Sequence, residues 1–417
     1  MAIRSTVHQT GADAVTELLR LSPPDDDHRS ILCTCGRTAR YEEMRSRPIL
    51  TVVGWARIDR PYYLCSACHR GQFPADVELD IDKTDFSPGV RRMLAAVGGV
   101  APFAQGRDQM KLLAGLQVTA KTVERTAESI GEDIEKQQQK DIQSAKQLRL
   151  PAVAGPSIPY LYIQMDGTQV FVVKAETEGR AGRTPGQPAR TRECKLGAVF
   201  TQTTVDDQRR PMRDENSTTY VGAIETAEDF GLRIYTESWN RGWDRATIRV
   251  VMGDGSHWIW NIADQHFPGA IQIVDLYHAR EHLWDLARKL NPADEVVQKR
   301  WLMRKLDSLE NGKIEKLATS LRKLADAQQN SELAKAIRIE ADYFDSNRDR
   351  MRYPEFHNKH LFVGSGVIEA GCKTVIGSRL KQSGMFWTVR GANAIIALRC
   401  CLLNGELEDY WAARRIA

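Results

Sequence analysis

The sequence has no apolar run approaching the roughly 20 residues that a helix needs to span a membrane. The closest candidate, Ala392–Leu403, is interrupted by Asn393 and Arg399. The first residues also lack the basic and then apolar pattern of a secretory signal peptide. We therefore expect a soluble protein that acts inside the cell and has no membrane partner.

A strong charge of either sign is missing too. The 417 residues carry a formal net charge of +4, so the overall charge neither favours nor excludes a nucleic-acid partner. Local clusters of charge have to decide that question. The length is enough for about three domains. Eight cysteines in a chain expected inside the cell favour metal ligands or buried thiols over disulfides.

Four of these cysteines stand in two close pairs, which are Cys33 with Cys35 and Cys65 with Cys68. Two such pairs joined by a β-hairpin are typical of a zinc ribbon, in which four thiolates bind Zn²⁺ tetrahedrally. The Cys-x-Cys spacing of the first pair is tighter than usual, and two unrelated pairs of buried or free thiols are the alternative. His69 directly follows Cys68, which makes it a poor replacement ligand.

The segments around the cysteines have their own signals. A short helix is expected over Ala12–Leu21, ahead of a linker. The hairpin of the ribbon is predicted from two β-rich stretches that meet in a turn at Asp59, namely Ile49–Ile58 and Arg60–Leu64.

The next segment is helical, and Ser87 is a suitable N-cap for its first helix. A helix over Phe103–Leu113, a turn at 115–118 and a second helix over Thr119–Ile130 give a helix-turn-helix layout. Three side chains would then face outward on the second helix and contact DNA, namely Lys121, Thr122 and Arg125. A two-helix hairpin inside a helical bundle is the alternative.

The clearest strand signal is Pro159–Val173. Apolar residues alternate there with Tyr160, Tyr162 and Gln164, and one carboxylate, Asp166, then interrupts the apolar run. A carboxylate in a central strand is costly unless it is paired or bound to a metal ion. Asp166 is therefore either the cap of a turn at the strand end or a metal ligand.

Strands and helices alternate after this point. The Asp166 strand is expected to pair with a hairpin strand over Val170–Glu176, and a third strand is expected over Cys194–Thr204. The elements that follow are helix, strand, helix, strand and helix, at Ala227–Trp239, Ala246–Gly255, Trp258–Gln265, Ala270–Asp275 and Tyr277–Leu286. Three antiparallel strands followed by helix, strand, helix and strand is the order of an RNase H-like domain.

In that order the strand ending at Asp254 lies beside the Asp166 strand. Neighbouring strands are about 4.8 Å apart, and carboxylates this close can share metal ions spaced about 3.5–4 Å from each other. Asp275 also ends a strand and is the rival second acid, but its strand would lie one position further out. Together with His278, Asp275 is expected to play an auxiliary role and to orient the next helix.

Residues 291–352 are rich in Lys, Glu, Ala, Leu and Arg, which predicts an all-α insertion. After it, Glu369 stands alone in an apolar helix start, because 370–405 contain basic residues but no acidic one. We prefer Glu369 over Glu281 and Glu237 as the third acid because it lies on the helix that follows the insertion and stands alone among basic residues. A glutamate favoured by the helix dipole is the simpler alternative.

These residues together resemble the DDE transposases of bacterial insertion sequences, specifically the ISKra family, a relative of the Mutator-like group. The matching blocks span nearly the whole chain in the expected order, and the last is the most specific. They are Cys33-Thr-Cys35-Gly36 with Tyr62-Tyr63-x-Cys65-x-x-Cys68, Lys121-Thr-Val-Glu-Arg125, Met165-Asp-Gly-Thr168, Gly253-Asp-Gly255 with Trp258, Asp275-x-Tyr277-His278 with Glu281-His282-Leu283, and Gly364-Ser-Gly-Val-Ile-Glu369 with Lys381-x-Ser-Gly-Met385 and Trp387. One departure is His69-Arg70, where the family pattern usually has a glycine.

The resemblance implies a catalytic triad of Asp166, Asp254 and Glu369 that binds Mg²⁺ or Mn²⁺, beside Zn²⁺ on the four cysteines. It implies double-stranded DNA as the partner, both transposon ends and target, and a homodimer or higher oligomer at the bacterial nucleoid in the cytoplasm. DNA phosphates are expected to contact Lys373, Arg379, Lys381 and the Arg180–Arg192 loop. Trp387 either stacks on an unpaired terminal base or, more simply, packs in the core.

The expected fold class is a multidomain α+β protein with an RNase H-like α/β catalytic domain interrupted by an all-α insertion. The expected domains are an N-terminal helix and linker (1–30), a zinc ribbon (31–80), a helix-turn-helix-like region (86–150), the first part of the RNase H-like core (159–290), the insertion (291–352) and the C-terminal part of the core (353–417). Two other functions remain open, an RNase H-like nuclease without strand transfer and a host-captured DNA-binding protein with an inactive site.

Overall fold

The structure is a computed structural model that describes residues 2–182 and 186–414. It is a mixed α+β fold with a four-cysteine cluster in its N-terminal part and a mixed five-stranded sheet. The described residues divide into two compact units, 2–132 with 405–414 and 133–404. No helix in these ranges is long and apolar enough to cross a membrane.

The first unit begins with helix α1 and a four-stranded antiparallel sheet. The elements are α1 (Ala2–Leu18), β1 (Ser30–Leu32), β2 (Thr38–Thr51), β3 (Gly54–Cys65) and β4 (Gly71–Gln72). The helix expected from Ala12 thus begins ten residues earlier, at Ala2, and ends at Leu18.

The hairpin turn predicted at Asp59 is wrong, because Asp59 lies within β3, opposite Ser46. The chain turns instead between Thr51 and Gly54, where Gly54 has a φ of 108°. This left-handed backbone favours glycine, and the Thr51 hydroxyl donates to the Gly54 carbonyl at 2.7 Å.

Helices follow these strands in the chain. They are α2 (Pro74–Glu78), α3 (Pro88–Val100), α4 (Phe103–Gln109), which continues as a π-helical turn over Met110–Ala114, and α5 (Ala120–Lys146). The hydroxyls of the predicted caps Ser87 and Thr119 accept from the backbone N–H groups of Val90 and Thr122 at 3.4 and 3.0 Å. A helix, a turn and a helix therefore occur where the sequence places them.

The second unit contains the five-stranded sheet. Its strands and a small additional ribbon are β5 (Ile158–Phe171), β6 (Thr191–Gln202), β7 (Thr204–Val205), β8 (Pro211–Met212), β9 (Thr219–Ala223), β10 (Ala246–Gly253) and β11 (Ile271–Val274). The order is β11-β10-β5-β6-β9. The strands β5, β6 and β9 are antiparallel, whereas β10 and β11 run parallel to β5.

The hairpin strand predicted over Val170–Glu176 is wrong. β5 does not turn after Asp166 but continues to Phe171, with Asp166 opposite Leu196 of β6. Residues Lys174–Thr177 form a 3₁₀ turn instead. The sheet does contain three antiparallel strands, but they are β5, β6 and β9. The segment that was expected to form a separate hairpin strand belongs in part to β5, which pairs with β6 from Tyr160 to Phe171.

Helices pack against this sheet, and those between residues 291 and 352 form the segment that the sequence predicts to be all-α. They are α6 (Ala227–Asn240), α7 (His257–His266), α8 (Leu276–Leu290), α9 (Glu295–Glu310), α10 (Ile314–Asp326), α11 (Ser331–Ser346) and α12 (Tyr353–Asn358). The chain then forms α13 (Gly366–Gly371), a π-helical turn over Cys372–Gly377, α14 (Ser378–Leu380), α15 (Val389–Leu403) and α16 (Leu407–Arg414). A continuous apolar core joins the sheet to α6–α12.

Candidate functional site

Alternate residues of β5 hold the segment that returns to the sheet after the helical insertion. Tyr162, Gln164 and Asp166 share one face of β5 because side chains alternate along a strand. The hydroxyl of Tyr162 accepts from the backbone N–H of Phe362 at 3.4 Å, and the carboxylate of Asp166 accepts from the thiol of Cys372 at 3.4 Å. The strand thereby fixes the position of 362–372 along its length.

Gln164 makes the central contacts of this set and is fully buried, with 0% of its surface exposed. Its side-chain N–H donates to the carbonyl of Gly364 at 3.3 Å. Its side-chain oxygen accepts from the backbone N–H of Ile368 at 3.0 Å, in the first turn of α13. One amide therefore binds both the loop before α13 and the N-terminus of that helix, which carries Glu369.

Asp166 lies on the half-buried part of β5. Its Oδ1 accepts from the N–H of Gly167 at 2.6 Å, and its Oδ2 accepts from Cys372. Burial raises the pKa of Asp166, and the charge of Asp254 adds to the rise. The two hydrogen bonds and His278 act in the opposite direction, but the pKa remains raised. This carboxylate is thus costly to ionise in the absence of a cation.

Asp254 directly follows β10, the parallel neighbour of β5. Met252 lies beside Gln164, so Asp254 and Asp166 each stand two residues beyond this matched pair. The carboxylate of Asp254 accepts from the backbone N–H and the hydroxyl of Ser256 at 2.8 and 3.0 Å. Two acids therefore occupy matched positions on adjacent parallel strands, Asp166 within β5 and Asp254 directly after β10.

The turn after Asp254 is closed by the helical insertion. The hydroxyl of Tyr343 on α11 donates to the carbonyl of Asp254 at 3.1 Å. Gly255 has a φ of 100°, and a Cβ there would meet the Tyr343 ring at 2.6 Å. Any side chain at 255 would therefore displace Tyr343 from this contact.

Asp275 is buried, with 1% of its surface exposed. Its Oδ1 accepts from the N–H of His278 at 2.7 Å and so caps α8. Its Oδ2 accepts from the N–H of Ser365. Asp275 thus connects the start of α8 to the start of α13, and both of its oxygens are engaged.

Glu369 is exposed on α13, and its carboxylate accepts from the hydroxyl of Ser365 at 3.2 Å. It lies three residues before Cys372. Side chains with this spacing are neighbours on a helix, with Cβ atoms about 5–6 Å apart. Because the thiol of Cys372 donates to Asp166, the chain contacts β5 three residues after Glu369.

The three carboxylates are not drawn into one tight cluster. Within 2–182 and 186–414, the residues that bring three or more metal-binding atoms within 4.8 Å of one another are the four cysteines. Each acid instead hydrogen-bonds within its own segment, Asp166 to Gly167, Asp254 to Ser256 and Glu369 to Ser365.

The residues expected to contact DNA near this site differ in their exposure. Lys373 and Lys381 are exposed, and the ammonium of Lys381 donates to the hydroxyl of Thr168, two residues beyond Asp166. Arg379 is 1% exposed, and its guanidinium lies 5.1 Å from the centre of the Trp387 ring. The expectation of a phosphate contact from Arg379 is therefore not supported by its position.

Trp387 is 6% exposed, and its indole N–H donates to the carbonyl of Leu380 at 3.1 Å. Trp387 therefore packs in the core, as in the simpler of the two expectations, and its ring is not exposed for stacking on a base. The Arg180–Arg192 loop lies in part outside the described residues, because 183–185 do. In the first unit, Lys121 and Arg125 are exposed and Thr122 is half-buried.

The four cysteines form the clearest metal-binding arrangement. The sulfurs of Cys33 and Cys68 are 3.6 Å apart, and those of Cys35 and Cys65 are 3.7 Å apart. Zn–S bonds of about 2.3 Å at tetrahedral angles place sulfurs about 3.8 Å from one another. These separations are far longer than a disulfide bond of about 2.05 Å. The cluster is consistent with Zn²⁺.

The thiols of this cluster shift one another's pKa in opposite directions. The backbone N–H of Cys35 and the neighbouring thiols lower the pKa of Cys33 to about 6, and the backbone N–H of Cys68 lowers the pKa of Cys65. Burial and the neighbouring thiols raise the pKa of Cys68. The second turn contains His69 with a φ of 56°, a left-handed conformation that favours glycine. The departure from the family pattern thus falls on a residue that bears some backbone strain.

Sequence reasoning did not identify Gln164, Ser365, Cys372 or Tyr343 as parts of the site. Gln164 had a usable signal, because it is a polar residue in a nearly apolar strand, two positions before the acid. The others had none, since their contacts join residues 89 to 206 positions apart.

The fold and site together define a mixed α+β protein with a four-cysteine cluster and a mixed five-stranded sheet. A family model described as Uncharacterised protein family (UPF0236) matches residues 30–412, and the chain belongs to this family. Among solved structures, the Drosophila P element transposase strand transfer complex matches with a TM-score of 0.27 and 9% identity, over 82% of this chain and 83% of that chain. At this TM-score the likeness carries no argument. A search of curated proteins found no match.

Proposed function

We propose that this protein is a DDE transposase of an insertion sequence, which cleaves DNA and joins its ends to a target in a metal-dependent reaction. The observation that carries the proposal is the placement of the three acids. Asp166 on β5 and Asp254 directly after β10 occupy matched positions on adjacent parallel strands, and α13, which carries Glu369, is hydrogen-bonded to β5 through Gln164.

The strand order supports an RNase H-like interpretation of the second unit. The antiparallel strands β5, β6 and β9 lie on one side, and β10 and β11 continue the sheet parallel to β5 on the other. This is the order in which the sequence predicts an RNase H-like sheet, with the first strand in the centre. In that fold the first and fourth strands are neighbours, as are β5 and β10.

The three acids fit Mg²⁺ in the type of atom they offer, because this ion prefers carboxylate oxygens. Held by these acids, Mg²⁺ would supply neutralisation of phosphate charge and activation of the attacking oxygen. The protein's own contribution is to position the segments that carry the acids. Gln164 holds the helix of Glu369 against β5, and Asp275 holds the loop before it. Burial raises the pKa of Asp166, so a nearby cation would favour its ionised form.

DNA would be bound by exposed cations on both units. Lys381 is held beside Thr168 on the same strand as Asp166, and Lys373 directly follows Cys372, which contacts Asp166. In the first unit, Lys121, Thr122 and Arg125 are the proposed contacts to the ends of the element. Phosphate contacts of this kind make binding fall steeply with salt concentration.

The test is a joining assay with the full-length protein. Labelled duplexes made from the DNA that flanks the coding sequence are incubated with a supercoiled plasmid and Mg²⁺. We expect cleavage at the element end and covalent joining of the label to the plasmid, both lost in EDTA. Cleavage without joining would favour a nuclease, and neither reaction with zinc-loaded protein would overturn the proposal.

A further inference from the structure

A row of polar side chains connects the helical insertion to the candidate site. Oε2 of Glu340 on α11 lies 2.7 Å from Nδ1 of His282 on α8. Nε2 of His282 lies 3.3 Å from Nε2 of His278, one turn earlier on α8. Glu340 is 8% exposed, so its carboxylate is held at a fixed position inside the unit.

The chemistry of these groups limits where the protons are. An ionised carboxylate only accepts hydrogen bonds, so Nδ1 of His282 must carry the proton that Glu340 receives. Two N–H groups facing each other across 3.3 Å would repel, so a single proton lies between the two Nε2 atoms. With His282 neutral, its Nε2 is the acceptor and His278 is the donor.

The ring of His282 is fixed from its face as well. It stacks on Tyr343 of α11 with ring centres 3.9 Å apart and an angle of 12° between the planes. The hydroxyl of the same tyrosine donates to the carbonyl of Asp254. The helix α11 therefore contacts the turn that carries one acid and the histidine pair that follows Asp275.

We propose that Glu340 is a positioning residue for the acid site, acting through His282 to fix the orientation and protonated nitrogen of His278. This inference rests on the proposed function and deepens it. The backbone N–H of His278 donates to Asp275, whose other carboxylate oxygen accepts from Ser365 at the start of α13. With its Nε2–H donated to His282, the His278 ring keeps one orientation at the start of α8, whereas a freely rotating imidazole would not.

The test compares Glu340→Leu, which removes the acceptor, with Glu340→Gln, which keeps an acceptor oxygen without the charge. Glu332→Leu on the exposed side of the same helix is the matched control. In full-length protein with ¹⁵N-labelled histidine rings, NMR should show His282 protonated at Nδ1 in the wild type and in Glu340→Gln. Glu340→Leu should give mixed protonation of both nitrogens.

Cleavage of the labelled duplex in Mg²⁺ is the second readout. Loss of a group that orients a metal-site side chain typically costs about 10–100-fold in activity. We expect that loss in kcat for Glu340→Leu, with KM for DNA unchanged, recovery in Glu340→Gln, and no change in Glu332→Leu. If Glu340→Leu does not fold, His282→Phe keeps the stacking on Tyr343, removes both nitrogens, and carries the same expectation for kcat.

Unchanged ring-nitrogen signals in Glu340→Leu, or equal losses of kcat in Glu340→Leu and Glu340→Gln, would overturn the positioning role. The NMR readout needs no DNA. A wild-type protein without cleavage activity would therefore refute the proposed function, while the nitrogen signals still decide the role of Glu340.

Discussion

Replacement of Gln164 by leucine tests how the sheet positions the third acid. Leucine fills a similar volume but leaves the N–H of Ile368 and the carbonyl of Gly364 without the partners they have in the structure. A buried polar group that loses its partner costs about 1–3 kcal/mol. Two such groups should lower the free energy of unfolding by about 2–6 kcal/mol.

The assay is urea denaturation followed by circular dichroism, with Gln169→Leu as the control. Gln169 lies on the same strand but is exposed, and surface substitutions usually change stability by no more than about 0.5 kcal/mol. If the two variants are equally stable, the two contacts of Gln164 do not hold α13, and our account of how Glu369 is placed is refuted.

Three further predictions concern the metal sites and their surroundings. Cys65→Ser should abolish the single Zn²⁺ per chain measured by native mass spectrometry and unfold the ribbon, and full zinc content would contradict the tetrahedral site. Asp166→Asn without divalent cations should raise the thermal midpoint at neutral pH. Because the pKa of Asp166 is raised in the folded protein, this gain should disappear as the pH falls toward the ordinary value of 3.8. A gain that does not depend on pH would show that ionisation of the buried carboxylate is not its cause. His69→Gly should relieve the left-handed backbone strain and stabilise the ribbon by up to about 1 kcal/mol. A loss of stability in thermal melts would show that the contacts of the His69 side chain outweigh this strain.

Local patterns were sufficient to predict much of the secondary structure. The alternation in β5, the capping residues Ser87 and Thr119, and the carboxylates directly after strands depend on neighbours in sequence. Strand neighbours in the sheet followed from the order of elements, which placed Asp254 beside Asp166.

Other features depend on contacts that local patterns do not encode. The expected hairpin after Asp166 failed because β5 pairs with β6 across a connection of about twenty residues, and nothing near Gly167 shows that the strand continues. Arg379 looked like a surface cation among other basic residues, but it packs on Trp387 in the interior. The partners of Gln164 lie 200 and 204 residues away.

The central claim is that Glu369 is the third catalytic acid, and one pair of variants tests it most directly. Glu369→Gln keeps the size of the side chain and removes its charge, so the variant should fold and bind DNA as the wild type does. Glu281→Gln is the control, because Glu281 is an exposed acid on α8.

The measurement is strand transfer of labelled end DNA into a plasmid in Mg²⁺. We expect Glu369→Gln to lose cleavage and joining by several orders of magnitude, as when one member of a cooperating catalytic set is removed, and Glu281→Gln to remain close to the wild type. Near-normal strand transfer by Glu369→Gln, with loss in Glu281→Gln, would contradict the assignment and place the third acid on α8.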